Sequence, residues 1–289
     1  MPLVAAAMMP HGFTLIPEVS DGKPETERTT AAMQEIGRRF ADAGVEAIVL
    51  VGPHGTRVTG QMCVMDVGRA AGSLSNGERS IDVNVPCDRP LIEAIIEASR
   101  QAGVPVAAAG FGGNRADQSV APLDWGGVIP LWFTGHDDNR PDSGSVLAAT
   151  PADDHGPTVV LITPARALPL EKMVEFGHVI ADVIAADSRK VGFIASCDWA
   201  HTHTESGPYG AHPKAPEVDA RVVKAVRANT LHDLAEIPPQ DVEAAAIDGL
   251  WQSLILAGIQ DRTPLTVDFL SYEVPDYFGM IVAAYAPVR

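Results

Sequence analysis

Cysteine is scarce in this chain: Cys63, Cys87 and Cys197 are the whole complement of 289 residues, and no two have Cys-x-x-Cys spacing. So sparse and odd a set argues against a disulfide framework or a thiolate metal cluster and fits a reducing cytoplasm. Clustered positive charge is missing too. The chain has 21 Lys and Arg against 37 Asp and Glu, a formal charge of −16, which disfavours nucleic acid or an anionic membrane surface as partner. No stretch of about 18 uncharged apolar residues is present, so no transmembrane helix is expected. The opening MPLVAAAMMPHG is apolar, but it lacks a basic leading segment and passes directly into a strand pattern. It therefore reads as mature protein rather than a signal peptide. Internal repeats are absent.

What is present is a core-forming composition, 46% apolar and 20% charged. Short β-branched runs alternate with longer helical ones. Strands are expected at Leu3–Met8, Ala47–Val51, Gln61–Asp66, Ser80–Val85, Val104–Ala108, Thr158–Thr163, Val191–Ala195, Leu265–Ser271 and Gly279–Tyr285. Helices are expected at Glu27–Ala43, Pro90–Ala102, Leu170–Ala186, Glu217–Arg227 and Pro239–Ala257. The second of these has Pro in its first turn and Gly at its close, the usual punctuation of a helix. The alternation predicts an α/β fold, a sheet flanked by helices. The last two strands have no helix between them, which makes the sheet mixed. The polar stretches Gly135–Pro157 and Thr204–Pro216 read as loops inside a single domain spanning 1–289, because periodic patterning resumes after each.

Nine histidines occur, and several fall at strand tips. The first strand runs into Pro10-His11-Gly12 and the second into Gly52-Pro53-His54-Gly55. In open α/β sheets ligands gather beyond the carboxyl ends of the strands, where both imidazoles would lie. A third strand leads into ASCDWAHTH, with His201 and His203 two residues apart. On spacing alone this pair is a metal clamp, a proton carrier or a polar strand rim. His136 and His155 in the polar loop, His212 before a proline, and His178 and His232 in helical pattern read as ordinary polar residues. Near the chain end, Glu273 sits between two apolar strands in FLSYEVPDYFGM, either at a solvent turn or buried with a partner. Two imidazoles and one carboxylate form a facial triad suited to non-haem Fe(II), and the same set suits a catalytic zinc site.

Taken in order, MMPHG, LVGPHG, PLDWGGVIPLWF, IASCDWAH with GPYG after it, and SYEVPDYFGM make the chain resemble the class III (LigB-type) extradiol ring-cleavage dioxygenases over nearly its whole length. The resemblance implies a LigB-like catalytic domain with Fe(II) held by His11, His54 and Glu273. It assigns acid–base work to His201, at the end of the Ser-x-Asp-x-x-His pattern. His203 has no matching family role and is expected beside the substrate because alternate residues of an extended segment share a face, and Asp198 is expected behind His201, holding one tautomer. One departure stands out: many members have Asp-His-Gly where this chain has Asp124-Trp125-Gly126. Indole cannot carry a proton as imidazole does, so Trp125 is expected to stack on an aromatic substrate or fill space.

The activity so implied is insertion of O2 into the ring of a catechol or aminophenol beside its hydroxyls, by a cytoplasmic enzyme of aromatic compound catabolism, as a homo-oligomer. Two other readings use the same residues. One is a Memo-like metal-binding or peptide-binding protein without ring chemistry, a branch expected to offer cysteine at the carboxylate position. The other is a zinc hydrolase.

Overall fold

The structure is a computed structural model, and residues 2–20, 24–140, 145–147 and 156–288 are described. Much of the polar loop expected at 135–157, His155 included, lies outside the described residues.

Eleven strands and seven α-helices make up the described chain. In order they are β1 (Leu3–Met9), α1 (Glu27–Ala43), β2 (Ala47–Val51), β3 (Met62–Met65), β4 (Arg69–Ser75), β5 (Ser80–Pro86), α2 (Arg89–Gln101), β6 (Val106–Ala109), β7 (Val120–Pro122), α3 (Trp125–Phe133), β8 (Thr158–Thr163), α4 (Glu171–Ala186), β9 (Val191–Ser196), α5 (Lys214–Ala228), α6 (Pro239–Ala244), α7 (Leu250–Arg262), β10 (Leu265–Glu273) and β11 (Met280–Pro287).

Eight strands form one mixed sheet in the order β10-β11-β1-β9-β2-β8-β3-β6. At its centre β1, β9, β2 and β8 run parallel, so their carboxyl ends emerge side by side. Every residue of β2 and β9 is buried, as expected of parallel strands covered on both faces. One helical group, α1 with α3, and another, α2, α4 and α7, pack against this sheet. The expected antiparallel ending is β10–β11, and β11 continues antiparallel to β1.

Two differences from the sequence expectations bear on the site. A small second sheet, β5-β4-β7, takes up the run expected at Ser80–Val85; β4 and β7 lie in small-residue sequence with no strong alternation. The single helix expected over Pro239–Ala257 is also two helices. The chain breaks between α6 and α7, with Ala246 in the left-handed region at φ 48°. Apolar periodicity runs straight through Ala244–Ile259 and hides this break. The break carries Asp248.

Candidate metal centre and substrate cavity

The parallel centre of the sheet assembles the site. His11 follows the tip of β1 by two residues, and His54 follows the tip of β2 by three. β9, which pairs with both, delivers Ser196 and Asp198 between them. Side-chain nitrogens of His11 and His54 and a carboxylate oxygen of Asp248 lie within 4.8 Å of one another. The two imidazoles meet edge to face, with ring centroids 5.0 Å apart.

Each imidazole is oriented from behind. The Ser196 hydroxyl donates to the Gly126 carbonyl at 2.6 Å, so its oxygen accepts from His11 Nδ1–H at 3.0 Å. His54 Nδ1 donates to Asp124 Oδ2 at 2.7 Å. Both rings therefore carry their proton on Nδ1 and present the Nε2 lone pair, the arrangement usual in histidines that bind metals. Asp124 serves twice, because its other oxygen accepts from the Gly126 N–H at the start of α3. Gly126 allows the close approach: a Cβ there would come within 2.8 Å of His54 Cε1.

Carboxylates face these lone pairs. Asp198 Oδ2 is 3.3 Å and Asp248 Oδ2 3.5 Å from His11 Nε2. Asp248 is itself held by the Asp198 N–H at 2.9 Å, and Asp198 by the His11 N–H at 3.1 Å. Lone pairs and carboxylates in a nearly dry pocket repel unless a cation lies between them. A proton is one such cation. Burial alone would lower the His11 imidazolium, but Asp198 and Asp248 raise it to about 9. Burial also lifts the Asp198 carboxyl above the usual range, aided by the adjacent charge of Asp248. A divalent metal is the other, and the donor set of two neutral imidazoles and a carboxylate fits it.

Glu273 does not join this group. The carboxylate that stands beside the two imidazoles is instead that of Asp248, and Glu273 is occupied at the start of α1. Its Oε2 accepts from the Thr29 N–H at 2.9 Å and the Thr29 hydroxyl at 2.6 Å, and Arg28 lies 3.4 Å from Oε1. It caps that helix from outside, where an anion is favoured. Asp248 had a signal of its own, as the one charged residue in the apolar stretch Ala244–Ile259. Burial there demands a cationic partner.

His201 lies at the cavity. Its Nδ1 donates to the Ala246 carbonyl at 2.9 Å, leaving Nε2 toward Asp248 Oδ2 at 3.9 Å. Its tautomer is therefore set by a main-chain carbonyl of the α6–α7 break, while Asp198, expected in that role, stands against His11. His203 turns away from the cavity. Its Nε2 donates to Asp219 Oδ2 at 2.8 Å, and that fully buried carboxylate also accepts from the Ala200 N–H and the Tyr272 hydroxyl. The alternation that put His201 and His203 on one face fails because this segment is irregular and not a strand.

A cavity of about 430 Å³ opens over the cluster. His11, His54, Asp198, Asp248 and His201 form its polar part, and Phe13, Leu74, Trp125, Tyr209, Tyr277 and Phe278 much of its wall. Phe278 stacks on His201 at 5.3 Å and 16°. Trp125, half exposed, lies 4.6 Å from the His54 ring. The volume suits a single small aromatic molecule.

A mixed α/β sheet with histidines beyond the tips of two parallel strands that flank a third, and a carboxylate beside them, is a donor arrangement that could hold a metal ion. The family model described as the catalytic LigB subunit of aromatic ring-opening dioxygenase matches residues 5–280, and the chain belongs to that family. Its scaffold is thus of the dioxygenase type. Among relatives, Protein CA_C1420 of Clostridium acetobutylicum is 22% identical over 268 residues, covering 92% of this chain and 54% of its own length. The chain thus spans about half of that curated relative. Among solved structures, the uncharacterized protein JW3007 from Escherichia coli K12 superposes with a TM-score of 0.58 at 16% identity, over 97% of this chain and 99% of that one. That likeness concerns the fold. No helix of the described residues is long and apolar enough to cross a membrane.

Proposed function

We propose that the protein is an Fe(II)-dependent extradiol dioxygenase opening the ring of a catechol or aminophenol, with His11, His54 and Asp248 as metal ligands and His201 as acid–base residue. The observation that carries the reading is the convergence of these three donors beneath an aromatic-walled cavity, with the free nitrogen of His201 turned toward Asp248. When bound, Fe(II) supplies the redox chemistry and a place for the substrate oxygens and O2.

The chain's own residues do the rest. Ser196 and Asp124 keep His11 and His54 in the tautomer that leaves Nε2 free. The Ala246 carbonyl does the same for His201, whose Nε2 can then take a proton from a ring hydroxyl and later return it. Phe278 fixes the plane of that imidazole, and Trp125, Tyr209 and Tyr277 orient a flat substrate and exclude water. Trp125 fills the place where many members have a histidine, leaving His201 as the proton carrier. The test is anaerobic reconstitution with Fe(II), addition of catechols and aminophenols, and admission of O2. Oxygen uptake with a yellow ring-opened product is expected. One bound iron per chain with no product from any of them would overturn the reading.

A further inference from the structure

The cavity wall is charged in one sense only. Apart from His11, His54, Asp198, Asp248 and His201, its one carboxylate among the described residues is Asp276, and no lysine or arginine among them lines it. Arg166, whose charge reaches Asp248, is held elsewhere. Its guanidinium lies over the Trp251 ring at 4.6 Å and contacts the Pro53 carbonyl at 3.5 Å, outside the lining.

The inner site is close to electrically balanced once loaded, since a divalent cation is offset by the carboxylates of Asp248 and Asp198. Asp276 has no lysine or arginine beside it in the cavity lining among the described residues. It stands exposed on the loop between β10 and β11, next to Tyr277 and Phe278, whose rings meet at 4.9 Å and line the same cavity. A carboxylate beside aromatic faces is a receptor for an ammonium group, through ion pairing and cation–π attraction together. Among the described residues the same wall offers no lysine or arginine to an anionic substituent, and the −16 charge of the chain adds long-range repulsion of anions.

We propose that the aromatic substrate of this cavity carries a positively charged amine on its ring substituent, received by Asp276 and the faces of Tyr277 and Phe278, and that carboxylate-bearing analogues are discriminated against. This rests on the reading of the site as a catechol or aminophenol site.

The experiment compares three catechols of similar size, substituted at ring position 4 with aminoethyl, propyl or carboxyethyl. Each is titrated anaerobically into the Fe(II)-loaded protein and followed by calorimetry. The aminoethyl compound should bind about fivefold or more tightly than the propyl compound, and the carboxyethyl compound should bind most weakly. Salt should narrow the gap, as screening of an exposed pair requires. In Asp276→Asn the amine-to-propyl ratio should fall to about one, and in Asp276→Lys the order of amine and carboxylate should reverse. Equal binding of amine and propyl compounds, tightest binding of the carboxylate, or an undiminished preference in Asp276→Asn would overturn the proposal while leaving the catechol reading standing. Failure of the propyl catechol to bind would overturn that reading and this proposal together.

Discussion

The main-chain carbonyl of Ala246 accepts a hydrogen bond from Nδ1 of His201 at 2.9 Å. Ala246 belongs to the five-residue break between α6 and α7, where its backbone is left-handed. The same break supplies Asp248 to the histidine cluster and the Ala245 carbonyl to the His201 N–H. One interruption of helical structure thus places the Asp248 carboxylate and orients the His201 ring, the ligand and the proton carrier of the proposed reaction.

The assignment of the carboxylate separates two substitutions. Asp248→Ala should abolish stoichiometric metal binding, read by metal analysis after gel filtration. Glu273→Gln should retain metal and lower stability by about 1 kcal/mol, through the weakened cap on Thr29. Metal loss in Glu273→Gln with retention in Asp248→Ala would reverse the assignment.

The two histidines of the HTH segment should respond differently. His201→Ala should keep iron and lose about 10²–10⁴-fold in turnover. His203→Ala should act on stability, costing about 1–3 kcal/mol because the buried Asp219 carboxylate loses one of its donors. Chemical denaturation and steady-state rates on the two variants distinguish these roles.

Gly126→Ala places a methyl group 2.8 Å from His54 Cε1. The His54 ring must tilt or the start of α3 must retreat from it. Metal affinity should fall about tenfold or more, as for loss of an orienting partner, with the far-ultraviolet circular dichroism unchanged. An unaltered dissociation constant would show that the ring moves freely.

Away from the site, His136 should give the fold an acid-sensitive step. Its burial lowers the imidazolium below the ordinary range despite bonds to the Pro157 and Leu131 carbonyls. Since the folded value lies below the unfolded value of about 6.5, the neutral ring contributes stability that is complete above that pH. The contribution is lost as pH falls through the folded value. Urea midpoints should therefore decline with acidification from about pH 6.5 downward, and His136→Gln should flatten that part of the curve.

The strands at the centre of the sheet were legible because they are short, wholly apolar and punctuated. LVAAAMM before Pro-His-Gly and AIVLV before Gly-Pro-His-Gly announce both strand and tip. His11, His54 and His201 stood out as strand-tip histidines, their roles came only with the family resemblance, and the three side chains line one cavity in the structure. Asp248 was hidden because helical periodicity continues across the break and gives no sign of the chain reversing its aim. Glu273 misled for the opposite reason: an acid in apolar surroundings implies a partner, but the pattern does not say whether that partner is a metal or the end of a helix. His203 depended on assuming extended backbone through a segment that curls toward Asp219. In each case the missing information was tertiary, the neighbour that local spacing does not encode.

The insertion of β9 between β1 and β2 has a consequence for how the chain folds. His11 and Asp198, joined through main chain and side chain, stand 187 residues apart, and the elements joining them must be in place before the cluster exists. No partly assembled chain lacking β9 offers the ligands in this arrangement. A metal that binds the cluster thus binds the finished fold in preference to its precursors, and by mass action each tenfold excess over its dissociation constant deepens the native well by about 1.4 kcal/mol. Under the proposed metal-binding role, apparent thermal stability therefore becomes a readout of metal supply.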